Sequence, residues 1–133
     1  MTYRTGKLAI AAVVLGISGG VVIAQTPGFT RTPLQTQPIS AAATYQVVQA
    51  RAEFAPGVAA GRHTHPGEEF GYVIEGTLLL EVDGQPAKTL HAGQAFFVPA
   101  GAIHDGKNIG SGSLKVLATY VVEKGKPVAT PIK

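Results

Sequence analysis

Beyond Gln25, no stretch of this chain keeps a helical period for the roughly ten residues that a convincing helix needs. Short runs rich in Val, Leu, Phe and Tyr are cut instead by turn residues, with 17 Gly and 9 Pro among 133 residues. Punctuation this dense suits many short strands joined by turns and argues against a helical bundle. Strands are predicted over Tyr45 to Phe54, Phe70 to Glu75, Thr77 to Val82, Ala95 to Val98 and Ser113 to Val122. Asp83-Gly84, between Leu80-Glu81-Val82 and the run Ala87 to Leu90, predicts a hairpin with a type I′ turn. The fold class is therefore all-β.

The length allows one small domain. With no Cys, a disulfide framework, thiolate-held zinc or iron–sulfur clusters and cysteine nucleophiles are excluded. Any metal must be held by His, Asp or Glu. A formal charge of +3 suggests nucleic acid at first sight, but Arg4 and Lys7 stand ahead of an apolar run from Leu8 to Ala24. A basic start, a short apolar middle and a small-residue exit make a secretory signal peptide, cleaved after Ala24. Without Arg4 and Lys7, the 11 basic residues fall to nine against 8 acidic ones. The remaining domain is nearly neutral, which speaks against nucleic-acid binding.

The alternative for residues 1–24 is an uncleaved membrane anchor, because the run approaches the roughly 20 residues of a spanning helix. Glycines 16, 19 and 20 interrupt it. Either way the domain is expected outside the cytoplasm, periplasmic or secreted. Residues 25–43, rich in Thr, Pro, Gln and Ala, read as an extended leader with Arg31 as its one charge. Leu34 and Ile39 could pair it with a sheet edge, whereas Pro33 and Pro38 argue against a central strand. Residues 44–125 form the expected barrel domain and 126–133 a C-terminal tail.

Chemistry gathers in two places. In GVAAGRHTHPGEEFGYVIEG, His63 and His65 stand two apart, so on a strand both imidazoles project from one face. Pro66-Gly67 turns the chain, after which Glu69 can return a carboxylate to the same point. In GQAFFVPAGAIHDGKN, an apolar strand ends at Pro99, turns through Gly101 and leads to His104. Three neutral imidazoles and one carboxylate suit a divalent transition metal and leave coordination positions open.

These residues resemble both signature motifs of the cupin superfamily of small β-barrels. The first, Gly-x5-His-x-His-x3-Glu-x6-Gly, is met by Gly57, His63, His65, Glu69 and Gly76; the second, Gly-x5-Pro-x-Gly-x2-His-x3-Asn, by Gly93, Pro99, Gly101, His104 and Asn108. The resemblance covers about Val47 to Val122. It implies a single antiparallel jelly-roll barrel of six to eight strands, with His63, His65, Glu69 and His104 meeting one metal ion inside it. Fe, Mn, Ni, Cu and Zn all remain open. The motif glycines and Pro99 would shape turns, and Asn108 would bond backbone or orient a loop.

Each residue has a plainer alternative. The four ligands could line a metal-free barrel, although burying unpartnered polar groups is costly. Glu68, of opposite strand parity to Glu69, is expected at the rim but could be the ligand instead. His91 sits at a turn and is expected to be exposed. Arg62 is expected on the opposite strand face, solvated or meeting a carboxylate. Tyr72, Phe96, Phe97 and Tyr120 are expected in the core, and Gly71 could leave space beside the metal.

Within the superfamily the same ligands serve dioxygenases, oxalate-degrading enzymes, isomerases and lyases, while other members only bind small molecules. No accessory pair of carboxylates stands at an interpretable spacing, and Glu75 and Glu81 read as rim charges. The leading expectation is a metal-dependent enzyme acting on a small organic molecule in a roomy barrel, dioxygenase-like in type. The alternatives are a non-catalytic binding or sensing module, and a barrel whose metal only ties strands together. A homodimer is expected, since members commonly pair through their sheets.

Overall fold

The computed structural model describes residues 26–133; segment 1–24, read above as a signal peptide, lies outside them. Ten strands follow in chain order: β1 (Phe29–Pro38), β2 (Tyr45–Phe54), β3 (His63–Thr64), β4 (Glu68–Glu75), β5 (Thr77–Val82), β6 (Lys88–His91), β7 (Ala95–Val98), β8 (His104–Asn108), β9 (Leu114–Glu123) and β10 (Thr130–Pro131). They form two five-stranded sheets, ordered β1-β2-β9-β4-β7 and β10-β3-β8-β5-β6, antiparallel throughout. This is the expected jelly roll, with ten strands where six to eight were predicted. The additional pairings come from the chain ends.

The side-chain period of two decides what faces inward. Along β9, Leu114, Val116, Ala118, Tyr120 and Val122 are buried, and along its partner β2 so are Val48, Ala50, Ala52 and Phe54. One cluster joins Phe54, Val73, Leu78, Leu80, Val98 and Leu114 between the sheets. A second, smaller cluster packs Val48, Ala50, Ala118, Tyr120 and Val122, with Val128 against it.

β1 lies in the segment read as a leader, and it occupies the edge of the first sheet. Phe29 pairs with Phe54 and Arg31 with Ala52 before the register shifts between Pro33 and Gln35. An edge position is where prolines are tolerated, because an outward N–H is not needed. Directly opposed residues share a face, so Phe29 and Arg31 point inward with Phe54 and Ala52. Likewise β10, in the C-terminal tail, pairs with β3 at the edge of the second sheet.

The β5–β6 hairpin forms where Asp83-Gly84 predicts it, but not as a type I′ turn. Gln85 N–H donates to the Val82 carbonyl, 3.0 Å away, Gly84 has φ +78, and among the described residues no non-glycine residue has positive φ. Positive φ at the second central residue alone is the type II pattern. Pro86 and Ala87 then add length, and the ladder resumes at Leu80–Lys88. Gly57, Gly76, Gly93 and Gly101 all take positive φ, as turn positions should. At Gly76 the need is double, since a Cβ would also lie 2.5 Å from the Ser113 carbonyl oxygen.

Candidate metal centre

Three elements deliver the imidazoles to one point. β3 and the residue following it carry His63 and His65, β8 begins at His104, and the ladder sets His63 directly opposite His104. Glu69 arrives from β4 in the other sheet, where it stands opposite Tyr120 and Val98. All four side chains are buried. The ring centroids of His63, His65 and His104 lie 4.3–4.9 Å apart, and their candidate ligand nitrogens lie within 4.8 Å of one another. Glu69 Oε2 is 3.1 Å from His65 Nε2 and 3.2 Å from His104 Nε2. Glu68, one residue earlier, is not in this group and only partly buried.

The outer nitrogen of each ring meets a backbone carbonyl. Nδ1 of His63 is 2.6 Å from Gly61 O, Nδ1 of His65 is 2.6 Å from Val128 O, and Nδ1 of His104 is 2.9 Å from Ala102 O. A carbonyl only accepts, so each Nδ1 carries a proton, and a ring in its neutral form then turns a lone pair on Nε2 inward. This is the arrangement that orients metal-ligating histidines. The Gly61 loop is pinned in turn, because its N–H donates to Asp105 Oδ1 over 3.0 Å.

The inward atoms then face a conflict. Nε2 of His104 and of His65 both point at Glu69 Oε2, an acceptor, and His65 Nε2 approaches it without the alignment of a hydrogen bond, leaving that buried nitrogen without a partner. Lone pairs aimed at a carboxylate are satisfied only by protons or by a cation. His63 resists protonation: burial, helped by the neighbouring His104, pushes it down to about 3. Burial alone would raise Glu69, and N–H groups of His104 and His65 turned toward it hold it down to about 2, so a proton or a cation has to stand between these rings and the carboxylate. Three histidine nitrogens and a carboxylate oxygen without enough protons between them are a donor set that fits a divalent transition metal.

This electrostatic arrangement predicts how the metal-free protein responds to acid. In the unfolded chain His63 takes up a proton near its ordinary 6.5, whereas in the fold it does so only near 3. Between those values the unfolded state binds more protons, so stability falls as pH drops, by at most about 1.4 kcal/mol per pH unit for one group. Glu69 adds to the loss below its ordinary 4.5. Urea midpoints of chelator-treated protein from pH 7.5 to 4 are expected to fall throughout; a flat profile would contradict a buried neutral His63.

Other sequence-singled residues separate cleanly from this centre. His91 is exposed, with Nδ1 3.4 Å from Thr77 Oγ1. Arg62 makes a bidentate pair with Asp83, at 3.0 and 2.7 Å, with both side chains about half exposed. Glu75 pairs with Lys115 over 2.8 Å at the surface, and Glu81 is exposed. Asn108, fully buried, donates to Phe54 O and Gly112 O and accepts from Gly110 N–H, tying a loop to β2.

The aromatic expectations need correction in part. Tyr120 is core, and its ring lies 4.6 Å from that of His65. Tyr72 and Phe97 are not core: both are nearly half exposed, because the parity of β4 and β7 that sends Glu69 and Val98 inward sends them out. Gly71 leaves no space beside the histidine cluster, since the Phe96 ring lies 2.0 Å from the position a Cβ would take. Phe96, with Phe54, Leu78, Leu80 and Val116, fills the barrel around His63, Glu69 and His104. The remaining cavity measures about 30 Å3, room for about two waters, so the barrel is not roomy.

Two contributors carry no motif signal. Arg31 and Tyr120 also line this cavity, and Arg31 Nε donates to the Tyr120 hydroxyl over 3.2 Å. Only the inward register of β1 and β9 reveals them.

The cupin domain family matches residues 50–120, a span that holds all four candidate ligands. The chain is a cupin. A germin-like protein, subfamily 2 member 2, of Arabidopsis thaliana is 34% identical over 110 residues, covering 79% of this chain and 50% of the relative. This cupin thus spans about half the length of the curated relatives it matches. Among solved structures, a recombinant oxalate oxidase in complex with glycolate superposes with a TM-score of 0.64 at 24% identity, covering 80% of this chain and 56% of that one. KdgF from Halomonas sp. superposes with a TM-score of 0.60 at 22% identity, covering 74% and 84%. At these identities the two structures speak for the fold. The His63, His65 and His104 cluster of this cupin could hold a metal ion.

Proposed function

We propose that this cupin is a mononuclear metal protein acting on a small organic molecule, with dioxygenase-like oxidoreductase chemistry as the leading assignment. His63, His65, Glu69 and His104 are its ligands, and the observation that carries this is the set of three imidazoles oriented by Nδ1–carbonyl bonds, two of them with Nε2 at 3.1 and 3.2 Å from Glu69 Oε2. When bound, the ion supplies a Lewis-acid and, if Fe, Mn or Cu, a redox centre with open positions. The protein's own residues orient and exclude. Apolar side chains keep water scarce around the centre, and Tyr120, raised by burial and by the Glu69 charge, stays a phenol and so a hydrogen-bond donor. Similarity to an oxalate oxidase fold is compatible with this assignment.

The second reading is a non-catalytic binding or sensing module. One observation favours it: among the described residues lining the cavity, Glu69 is the one carboxylate and no additional general base accompanies it. We place the domain outside the cytoplasm, on the basic and apolar pattern of residues 1–24. We also propose a homodimer, supported by the exposed Phe70, Tyr72, Ile74 and Phe97.

The test is elemental analysis of protein from its own compartment, beside His63→Ala and His104→Ala, followed by product analysis with small oxygen- and acid-type substrates. About one ion per chain, lost in both variants, with turnover of a substrate supports the enzyme. An occupied centre that binds a ligand unchanged favours the module, and a consistently empty protein removes the metal reading. Light scattering on the same preparations reports whether two chains pair.

A further inference from the structure

Each imidazole of the centre leans on a backbone carbonyl, but the three carbonyls differ in origin. His63 and His104 use carbonyls two residues away, at Gly61 and Ala102, within their own turns. The partner of His65 is the Val128 carbonyl, 63 residues further along the chain. The same segment supports the ligand strand by a second route. β3, only two residues long, stands between β10 and β8 and meets β8 at His63–His104. On its other side Thr130 and Pro131 pair with Thr64 and His63, and Ile132 N–H donates to the Arg62 carbonyl over 2.9 Å. The hold of this segment on the barrel is light. Ala129 is buried and Val128 packs against the smaller core cluster, whereas Thr130, Pro131 and Ile132 are exposed. A turn over Glu123 to Lys126, with Gly125 at φ +82, joins it to β9. A segment with so few buried contacts opens before the rest of a domain does.

We propose that residues 127–132 are a strap whose docking sets the exchange of the ion. Seated, the strap holds His65 in its ligating orientation through the Val128 carbonyl and secures β3 in the sheet. Released, it leaves the His65 ring free to turn away from Glu69, and the ion free to depart. This rests on the metal site of the proposed function. Linkage makes the effect reciprocal, because an ion that prefers the seated state must also hold the strap down.

The chain has no Cys, so one engineered bridge can fasten the strap. Thr64 and Thr130 are directly opposed in the antiparallel ladder, a Cα spacing of roughly 5 Å that a disulfide spans. The full-length double variant Thr64→Cys, Thr130→Cys is loaded with Mn(II), which thiols hold poorly, and the passage of the ion to excess EDTA is timed. Release from the oxidised form is expected to be about tenfold or more slower than from the reduced form, the scale on which outer partners tune metal-bound histidines. Ala129→Glu, which sets a charge in the buried contact of the strap, is expected to speed release by a similar factor and serves where the double variant does not fold. In the parent, loading with Mn(II) is expected to slow hydrogen exchange at the Ile132 amide. Oxidised and reduced forms that release at one rate overturn the inference and leave the metal centre standing. So does release from the parent no faster than global unfolding, timed by tyrosine fluorescence. A parent that takes up no ion overturns both.

Discussion

Loading chelator-treated protein with Mn(II), Ni(II) or Zn(II) should raise its thermal midpoint by about 15–30 °C, and His104→Ala should abolish the increase. An ion that binds only the folded chain stabilises it by about 4 kcal/mol at a thousand times its dissociation constant, and about 1 kcal/mol moves a domain of this size by 4–8 °C. The unfolded chain competes only with the short His63–Glu69 stretch, since His104 joins it only through the β3–β8 pairing. His104 is the informative residue to remove, because its Nε2 lies 3.2 Å from Glu69 Oε2 and its ring packs near both other imidazoles. Differential scanning fluorimetry at pH 7.5, with and without chelator, measures the shift. Midpoints that coincide with and without metal would end the metal-site assignment.

The second large effect is expected far from any chemistry. Asn108→Ala should cost about 3 kcal/mol or more, while the exposed neighbour Lys107→Ala should stay within about 0.5 kcal/mol. Asn108 is fully buried, and its amide bonds Phe54 O at 3.1 Å, Gly112 O at 2.8 Å and Gly110 N–H at 2.9 Å. Truncation leaves polar groups that cost about 1–3 kcal/mol each where they stay buried, together with a void where the amide was. Urea unfolding measures the difference, and metal content at low temperature should remain that of the parent. Loss of metal without loss of stability would instead place Asn108 in the centre.

What could be read along the chain was what depends on near neighbours. Tyr45–Phe54, Thr77–Val82 and Ala95–Val98 coincide with β2, β5 and β7, because alternation along a strand is a local signal. Glu69 could be preferred over Glu68 by parity, and the structure turns Glu69 toward the imidazoles. Partners remote in sequence were hidden. β1 and β10 have little pattern of their own and exist through pairing with β2 and β3, so the inward aim of Arg31 could not be foreseen. Gly71 misled for a related reason: a missing side chain is an opening only if no neighbour fills it, and β7 places Phe96 there. The Asp83-Gly84 signal located a turn but not its type, since Pro86 follows and lengthens the connection.

The absence of Cys and the siting of the four ligands combine in one consequence. His63, His65 and His104 belong to the β3–β8 side of the sandwich and Glu69 to β4 on the other, and His65 is also tied through Nδ1 to the C-terminal segment at Val128. A bound ion therefore rivets the two layers together, as a cross-bridge would. Unlike a sulfur bridge, this rivet is indifferent to reductants and oxidants that act on thiols, and it responds to acidity and to competing chelators. The durability of the fold would then follow the local supply of metal.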